Sequence, residues 1–215
     1  MTRLIDVTPF GAGFPLSRPT EPGRLLHLAL AMPRALRVFD HIEDQYRVWS
    51  IVRNVRLADP AEAKGVLLEV GVAFIGKRPP ESFEANPLQR YEIAETRPGA
   101  GLINATFTLQ KVPVVASADK RRESRQLIPL EVRLEVYDQG GFVKGEDTVT
   151  ENISAHGAAV FTSLDLAPGA FVRVCSDRQQ VSVLAVVRGR RKGAEGITRL
   201  HLEFIGGEWP LGEMR

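Results

Sequence analysis

Leu130-Glu131-Val132-Arg133-Leu134-Glu135-Val136-Tyr137 alternates side chains with a period of two. Successive residues of a strand point to opposite faces, so Leu130, Val132, Leu134 and Val136 face a core and the residues between them face water. Asp138-Gln139-Gly140-Gly141 supplies the turn that follows. The same reading extends outward. Phe171–Cys175 alternates around Arg173, and Thr198, Leu200, Leu202 and Phe204 alternate with Arg199, His201 and Glu203. Val181–Arg188 is β-branched and nearly continuous, which predicts a strand covered on both faces. Five or six such strands in about ninety residues predict a small antiparallel barrel. Helical signals are thin. In Pro80–Ile93, which carries Phe83, Leu88 and Tyr91, Pro87 is expected to open a short helix. Pro33 argues against a helix running through Ala29–Glu43.

Composition bounds what such a chain does. The 215 residues are 44% apolar and 25% charged, the range of an ordered globular protein of one or two domains. Eighteen consecutive apolar residues occur nowhere, so no membrane insertion is expected. Asp6 interrupts an N-terminus without an apolar signal core, and Cys175 is the one cysteine, so a cytoplasmic, reducing home is expected. Splitting after Ala116 gives 14 basic and 12 acidic residues, then 14 and 14. Neither half is basic enough to hold long nucleic acid, and few aromatics argue against a single-strand binder; a small anionic ligand fits better.

The chain also repeats itself. Asp6-Val7-Thr8-Pro9-Phe10-Gly11 aligns with Asn152-Ile153-Ser154-Ala155-His156-Gly157, and Pro22-Gly23 with Pro168-Gly169, both at an offset of 146. Ile51-Val52-Arg53 aligns with Val186-Val187-Arg188 at 135, and Ala73-Phe74-Ile75-Gly76 with Glu203-Phe204-Ile205-Gly206 at 130. Longer loops or strands in the first copy account for the falling offset. The first copy shows neither a basic segment nor an opening strand before Asp6. The β-prone stretch Leu102–Val115 is a candidate to return and complete it, or else a plain link.

Two motifs carry chemistry. Arg121-x-x-x-Arg125 is followed, 31 residues after Arg121, by Asn152-x-Ser154-x-x-Gly157. Either is weak alone; in this order, within a β-rich segment of about a hundred residues, the pair resembles the PilZ domain, a bacterial receptor for the second messenger cyclic di-GMP. The resemblance runs from Lys120 to about Pro210. Residues Leu4 to about Ile93 resemble a divergent second unit, with Asp6-x-Thr8-x-x-Gly11 but no arginine pair before it. What this implies is an all-β protein of two tandem six-stranded antiparallel barrels with a short helix after the first. The divisions are a non-binding unit at 1–100, a link or strand at 101–118 and a cyclic di-GMP-binding domain at 119–215.

The ligand-binding set is Arg121, Arg122, Arg125, Asn152, Ser154 and Gly157. A guanidinium fork meets guanine O6 and N7 with two hydrogen bonds, or two phosphate oxygens with charge assistance. Asn152 and Ser154 are two apart, so an extended backbone presents both on one side. Gly157 allows a positive φ or close approach of a base. The polar, charged stretch Asp119–Gln126 is expected to be mobile without ligand and to order over the barrel with it, passing the signal to a protein target. Plainer readings stand beside these: a solvated linker for the arginines, a self-bonded turn for Asn152 and Ser154, a turn for Asp6 and Thr8, a solvated hairpin end for Arg188–Lys192, and a small core residue for Cys175. Trp49 and Trp209 read equally as core fillers or interface anchors. No His-Glu-x-x-His, Gly-Lys-Ser/Thr or Gly-x-Ser-x-Gly pattern occurs, so neither enzyme nor cofactor is expected. The rival to a receptor is a non-binding adaptor acting only through protein contacts.

Overall fold

The computed structural model describes residues 2–58, 68–94, 109–112, 126–138, 141–193 and 196–211. The chain divides into two compact units, the second comprising residues 117–215 with two short segments from the first half. In the first lie β1 (Asp6–Thr8), β2 (Gly11–Leu16), β3 (Leu25–Leu30), β4 (Tyr46–Leu57), β5 (Leu68–Gly76), α1 (Glu81–Ala85), β6 (Tyr91–Ile93) and β7 (Leu109–Lys111). In the second lie β8 (Glu131–Asp138), β9 (Gly141–Ser154), β10 (Gly157–Thr162), β11 (Phe171–Ser176), β12 (Val181–Lys192) and β13 (Thr198–Phe204). The all-β expectation holds.

The second unit is a closed antiparallel barrel in the order β10-β13-β12-β11-β8-β9. Its core is what the alternation predicts: Val132 and Leu134 of β8 meet Val172, Val174, Leu200, Leu202 and Phe204. Val183–Val187 are all buried, so β12 is covered on both faces. Trp209 is 1% exposed and stacks on Phe204 at 5.8 Å, which makes it a core filler. Cys175 departs from expectation. Its neighbours Val172 and Val174 take the core positions of β11, and its thiol lies outside, 3.6 Å from Ser182 Oγ. Partial burial still raises the thiol pKa, so it is a poor nucleophile.

Among the described residues the first unit is an open five-stranded sheet, order β1-β2-β5-β4-β3, and the expected second barrel is not shown. The described part of the stretch proposed to complete it, β7, pairs with β6 instead, at Tyr91↔Lys111 and Ile93↔Leu109. Pro87 does not open the helix: α1 begins after Pro80, five residues long, and Tyr91–Ile93 is strand. Pro33 ends regular structure as expected, and only the 3-10 turn Arg34–Leu36 follows it. Buried Arg37 then organises the loop, donating from Nε to Met32 O (2.9 Å) and from Nη2 to Asp44 O (2.8 Å). Hydrogen bonding from Lys77 and from loop amides lowers the Asp40 pKa to about 2.

The repeat is geometric as well as sequential. Shifted by 146, β2 and β3 coincide with β10 and β11 end to end; shifted by 135, β4 coincides with β12. The five strands of the open sheet follow the order of five of the six barrel strands, β8 being the one without a counterpart among the described residues. The offsets fall at two connections: β3–β4 spans 15 residues against four for β11–β12, and β4–β5 ten against five for β12–β13. Both Pro-Gly steps make the same turn, with Gly23 at φ +89° and Gly169 at +90° and closing bonds Arg24 N–Glu21 O and Ala170 N–Ala167 O.

Candidate functional site

β9 and β10 meet in a two-residue turn with Ser154 opposite Gly157 and Asn152 opposite Ala159. Ser154 is 6% exposed and its hydroxyl donates to Gly157 O at 3.3 Å, so the plainer reading of this side chain, a turn closer, is met. Its twin Thr8 does the same toward Gly11 O at 3.4 Å. The turn carbonyls are both used: Ala155 O accepts from Trp209 N and His156 O from Phe204 N, each at 2.8 Å. The corner is thereby tied to the barrel core.

Gly157 does not take a positive φ, as one of its two readings had it; among the described residues only Gly23, Gly76, Gly169 and Gly196 are glycines that do. The reason for glycine here is a backbone approach. A Cβ at this position would run into the Leu202 carbonyl oxygen, and at Gly11 into that of Val72.

Arg121, Arg122 and Arg125 lie outside the described residues. The residue that follows them does not. Gln126 N donates to Ile153 O at 2.8 Å, and Ile153 N donates to Gln126 O at 3.0 Å. Ile153 sits between Asn152 and Ser154. Three residues before Ile153, Thr150, fully buried, donates from Oγ1 to Ile128 O (2.7 Å) and accepts from Leu130 N (2.9 Å). The chain leaving the basic segment is therefore zipped onto the strand that carries the second motif before it turns into β8.

The sheet surface beside the corner can be read from the register. Ala158 and Val160 are in the core, so Gly157, Ala159 and Phe161 lie on the opposite face of β10. Across to β13, Gly157 is opposite Glu203, Ala159 opposite His201 and Phe161 opposite Arg199. Arg199 lies over the Phe161 ring at 5.1 Å and is 2.9 Å from Glu151. Arg188 of β12 donates from Nε to Glu203 Oε2. Arg188 is thus partnered rather than a bare hairpin-end charge, and Arg190 donates to Asp165. Glu203 and His201, which the register places beside the corner, were not among the sequence candidates. The repeat held their signal, since Glu203 aligns with Ala73 and His201 with Gly71.

In the first unit the matching face is closed. Leu25, Ile51 and Tyr91 are buried there with Trp49, Ala73, Ile75, Phe83, Ile93 and Leu109 packed around them. Trp49 stacks on His27 at 4.9 Å and meets Phe83 edge-on at 5.0 Å, so this tryptophan also serves packing.

No curated protein matches the chain. Among solved structures it is similar to the Bacillus subtilis inhibitor of motility MotI/DgrA, at 13% identity over 94% of this chain and 78% of that one, with a TM-score of 0.34. It is also similar to K. pneumonia MrkH in its complex with c-di-GMP, at 11% identity over 94% and 73%, with a TM-score of 0.32. The PilZ domain family matches at residues 119–208. The matched residues span the segment that closes into the six-stranded barrel.

Proposed function

We propose that this protein is a cyclic di-GMP effector whose receptor is the barrel. In this reading residues 119–215 are the binding domain, 101–118 the link and 1–100 a non-binding companion. The observation that supports it most is the double hydrogen bond between Gln126 and Ile153. Consecutive Cα atoms are about 3.8 Å apart, so covalent connection alone keeps Arg125 within that distance of Gln126, whose partner Ile153 lies between Asn152 and Ser154, and Arg121 within about 18 Å of chain. Short tethers of this kind keep two motifs in reach of one ligand at little entropic cost.

Arg121 and Arg125 grip phosphate and guanine, with Arg122 adding charge. Asn152 bonds a base edge. Ser154 and Gly157 hold the corner, and the Ser154 oxygen keeps a lone pair for a base donor. Two or three bidentate contacts of roughly 1–3 kcal/mol each supply part of the free energy of micromolar binding, about 8 kcal/mol, and guanidinium stacking and charge-assisted phosphate bonds supply the rest. Ordering that segment is also how binding reaches the link and a protein target; hydrogen exchange across 101–126 that stays unchanged on adding ligand would refute this coupling.

Calorimetry with cyclic di-GMP tests the receptor reading. The wild type is expected to bind, and Arg125→Ala to weaken binding at least tenfold with the melting temperature unchanged. Binding that survives Arg125→Ala removes the residue assignment. A wild type that gives no heat with the nucleotide removes the receptor and leaves the adaptor.

A further inference from the structure

We propose that Glu203, held by Arg188, reads the Watson–Crick edge of a guanine seated along β10 and makes the site select guanine over adenine. This rests on the cyclic di-GMP reading above.

The floor and the two flanks of the seat are set by the register. β10 contributes Gly157 and Ala159 to the outer face, the two smallest side chains; both are buried, so the partly exposed groups of the flanks are what a base reaches. On one side β9 supplies Asn152 and Ser154; on the other β13 supplies His201 and Glu203, in two straight rows, Asn152–Ala159–His201 and Ser154–Gly157–Glu203. Adjacent strands are about 4.8 Å apart, so the flanks are roughly 10 Å apart, the span of a purine with a hydrogen bond at each end.

The chemistry at the two flanks differs. Asn152 both donates and accepts, but a carboxylate only accepts. Guanine offers N1–H and the 2-amino group side by side as donors, and one carboxylate takes both. Adenine has an acceptor at N1 and no amino group at C2, so the same carboxylate meets a lone pair. The side chains of Glu203 and Arg188 are 42% and 31% exposed, so a ligand reaches them, and the Arg188 Nε–Oε2 bond keeps the carboxylate aimed.

The first unit is an internal control. At the positions equivalent to Gly157, Ala159, His201 and Glu203 it has Gly11, Gly13, Gly71 and Ala73. The small floor survives, and Arg53 survives at the position of Arg188, but both polar residues of the far flank are gone. Ala73 is packed instead into the apolar cluster with Trp49, Phe83 and Tyr91. The copy with no arginine pair before its turn is also the copy without the carboxylate. A pair kept only for sheet stability does not predict that coincidence, because exposed ion pairs add little.

The test uses the whole chain and three cyclic dinucleotides carrying guanine, hypoxanthine (which lacks the 2-amino group) or adenine. In the wild type, cyclic di-GMP is expected to bind about tenfold more tightly than the hypoxanthine analogue, and the adenine compound more weakly still. In Glu203→Gln the first gap should close, chiefly through a loss of cyclic di-GMP affinity. The wild-type comparison needs no variant and so is independent of any folding defect. Equal affinity of the wild type for the guanine and hypoxanthine compounds, or a gap unchanged in Glu203→Gln, overturns the assignment. A wild type that binds none of the three overturns the receptor reading itself.

Discussion

A methyl group at Gly157 has nowhere to go, because the Leu202 carbonyl oxygen of the neighbouring strand occupies its place. At Gly169 the surrounding space is open, and the obstacle is the backbone itself, at φ +90°. The two glycines therefore fail differently on substitution. Gly157→Ala forces β10 and β13 apart and should lower barrel stability by about 1–3 kcal/mol, as overpacking does. Gly169→Ala places a Cβ in the left-handed region and costs about 1 kcal/mol. Thermal unfolding of both variants checks this. A Gly157→Ala protein as stable as wild type would mean that the strand has room that the register denies it. Either way, loss of ligand binding in a Gly157 variant is a report on the corner's shape before it is a report on ligand contact. Ser154 is similar: its proton is committed to the turn, whatever its oxygen does.

At the scale of elements, the key piece is not a strand but the lead-in from Gln126 to Leu130. Two side-chain bonds at Thr150 and two backbone bonds at Ile153 fix it to β9. Thr150→Val keeps the shape and deletes the hydroxyl, so Ile128 O and Leu130 N lose their partners inside the barrel wall. The expected cost is about 2–4 kcal/mol, since each buried group left unpaired costs about 1–3 kcal/mol. That predicts a melting temperature lower by roughly 10 °C or more for a domain of this size. Faster amide exchange at 126–130, with the β12 core unchanged, would place the defect in the lead-in. β8 and β13 were announced by β-branched or leucine residues at period two with one dominant packing surface, and β12 by a nearly continuous β-branched run buried on both faces. The helix start was misplaced at Pro87 because Pro80 offers the same N-terminal signal seven residues earlier. β6 escaped notice because three residues carry no period.

For the molecule as a whole, the two units share strand order and turn geometry but differ in what lies on the same face. In the barrel that face carries Asn152, His201, Glu203 and Arg188; in the open sheet it is roofed by Trp49, Phe83 and Tyr91. One binding region per chain is therefore expected. Titration of wild type should show one phase, with ligand bound at the barrel alone, and Arg125→Ala should weaken that phase as a whole. A separate phase whose affinity is the same in wild type and Arg125→Ala would show that the first unit binds nucleotide.

The sequence by itself determined the all-β class, the barrel core, the internal repeat and the two motifs, because each is written in short-range order: a period of two, a Pro-Gly step, a fixed spacing. Only the tertiary structure decided that the described strands of the first unit form an open sheet, that Gly157 serves backbone packing, that Cys175 lies outside the barrel, and that Glu203 stands opposite Gly157. Those outcomes depend on which strand lies beside which, and pairing across forty or more residues of chain leaves no local mark. The physical reason is that alternation fixes the face of a residue, whereas register and neighbour fix its company.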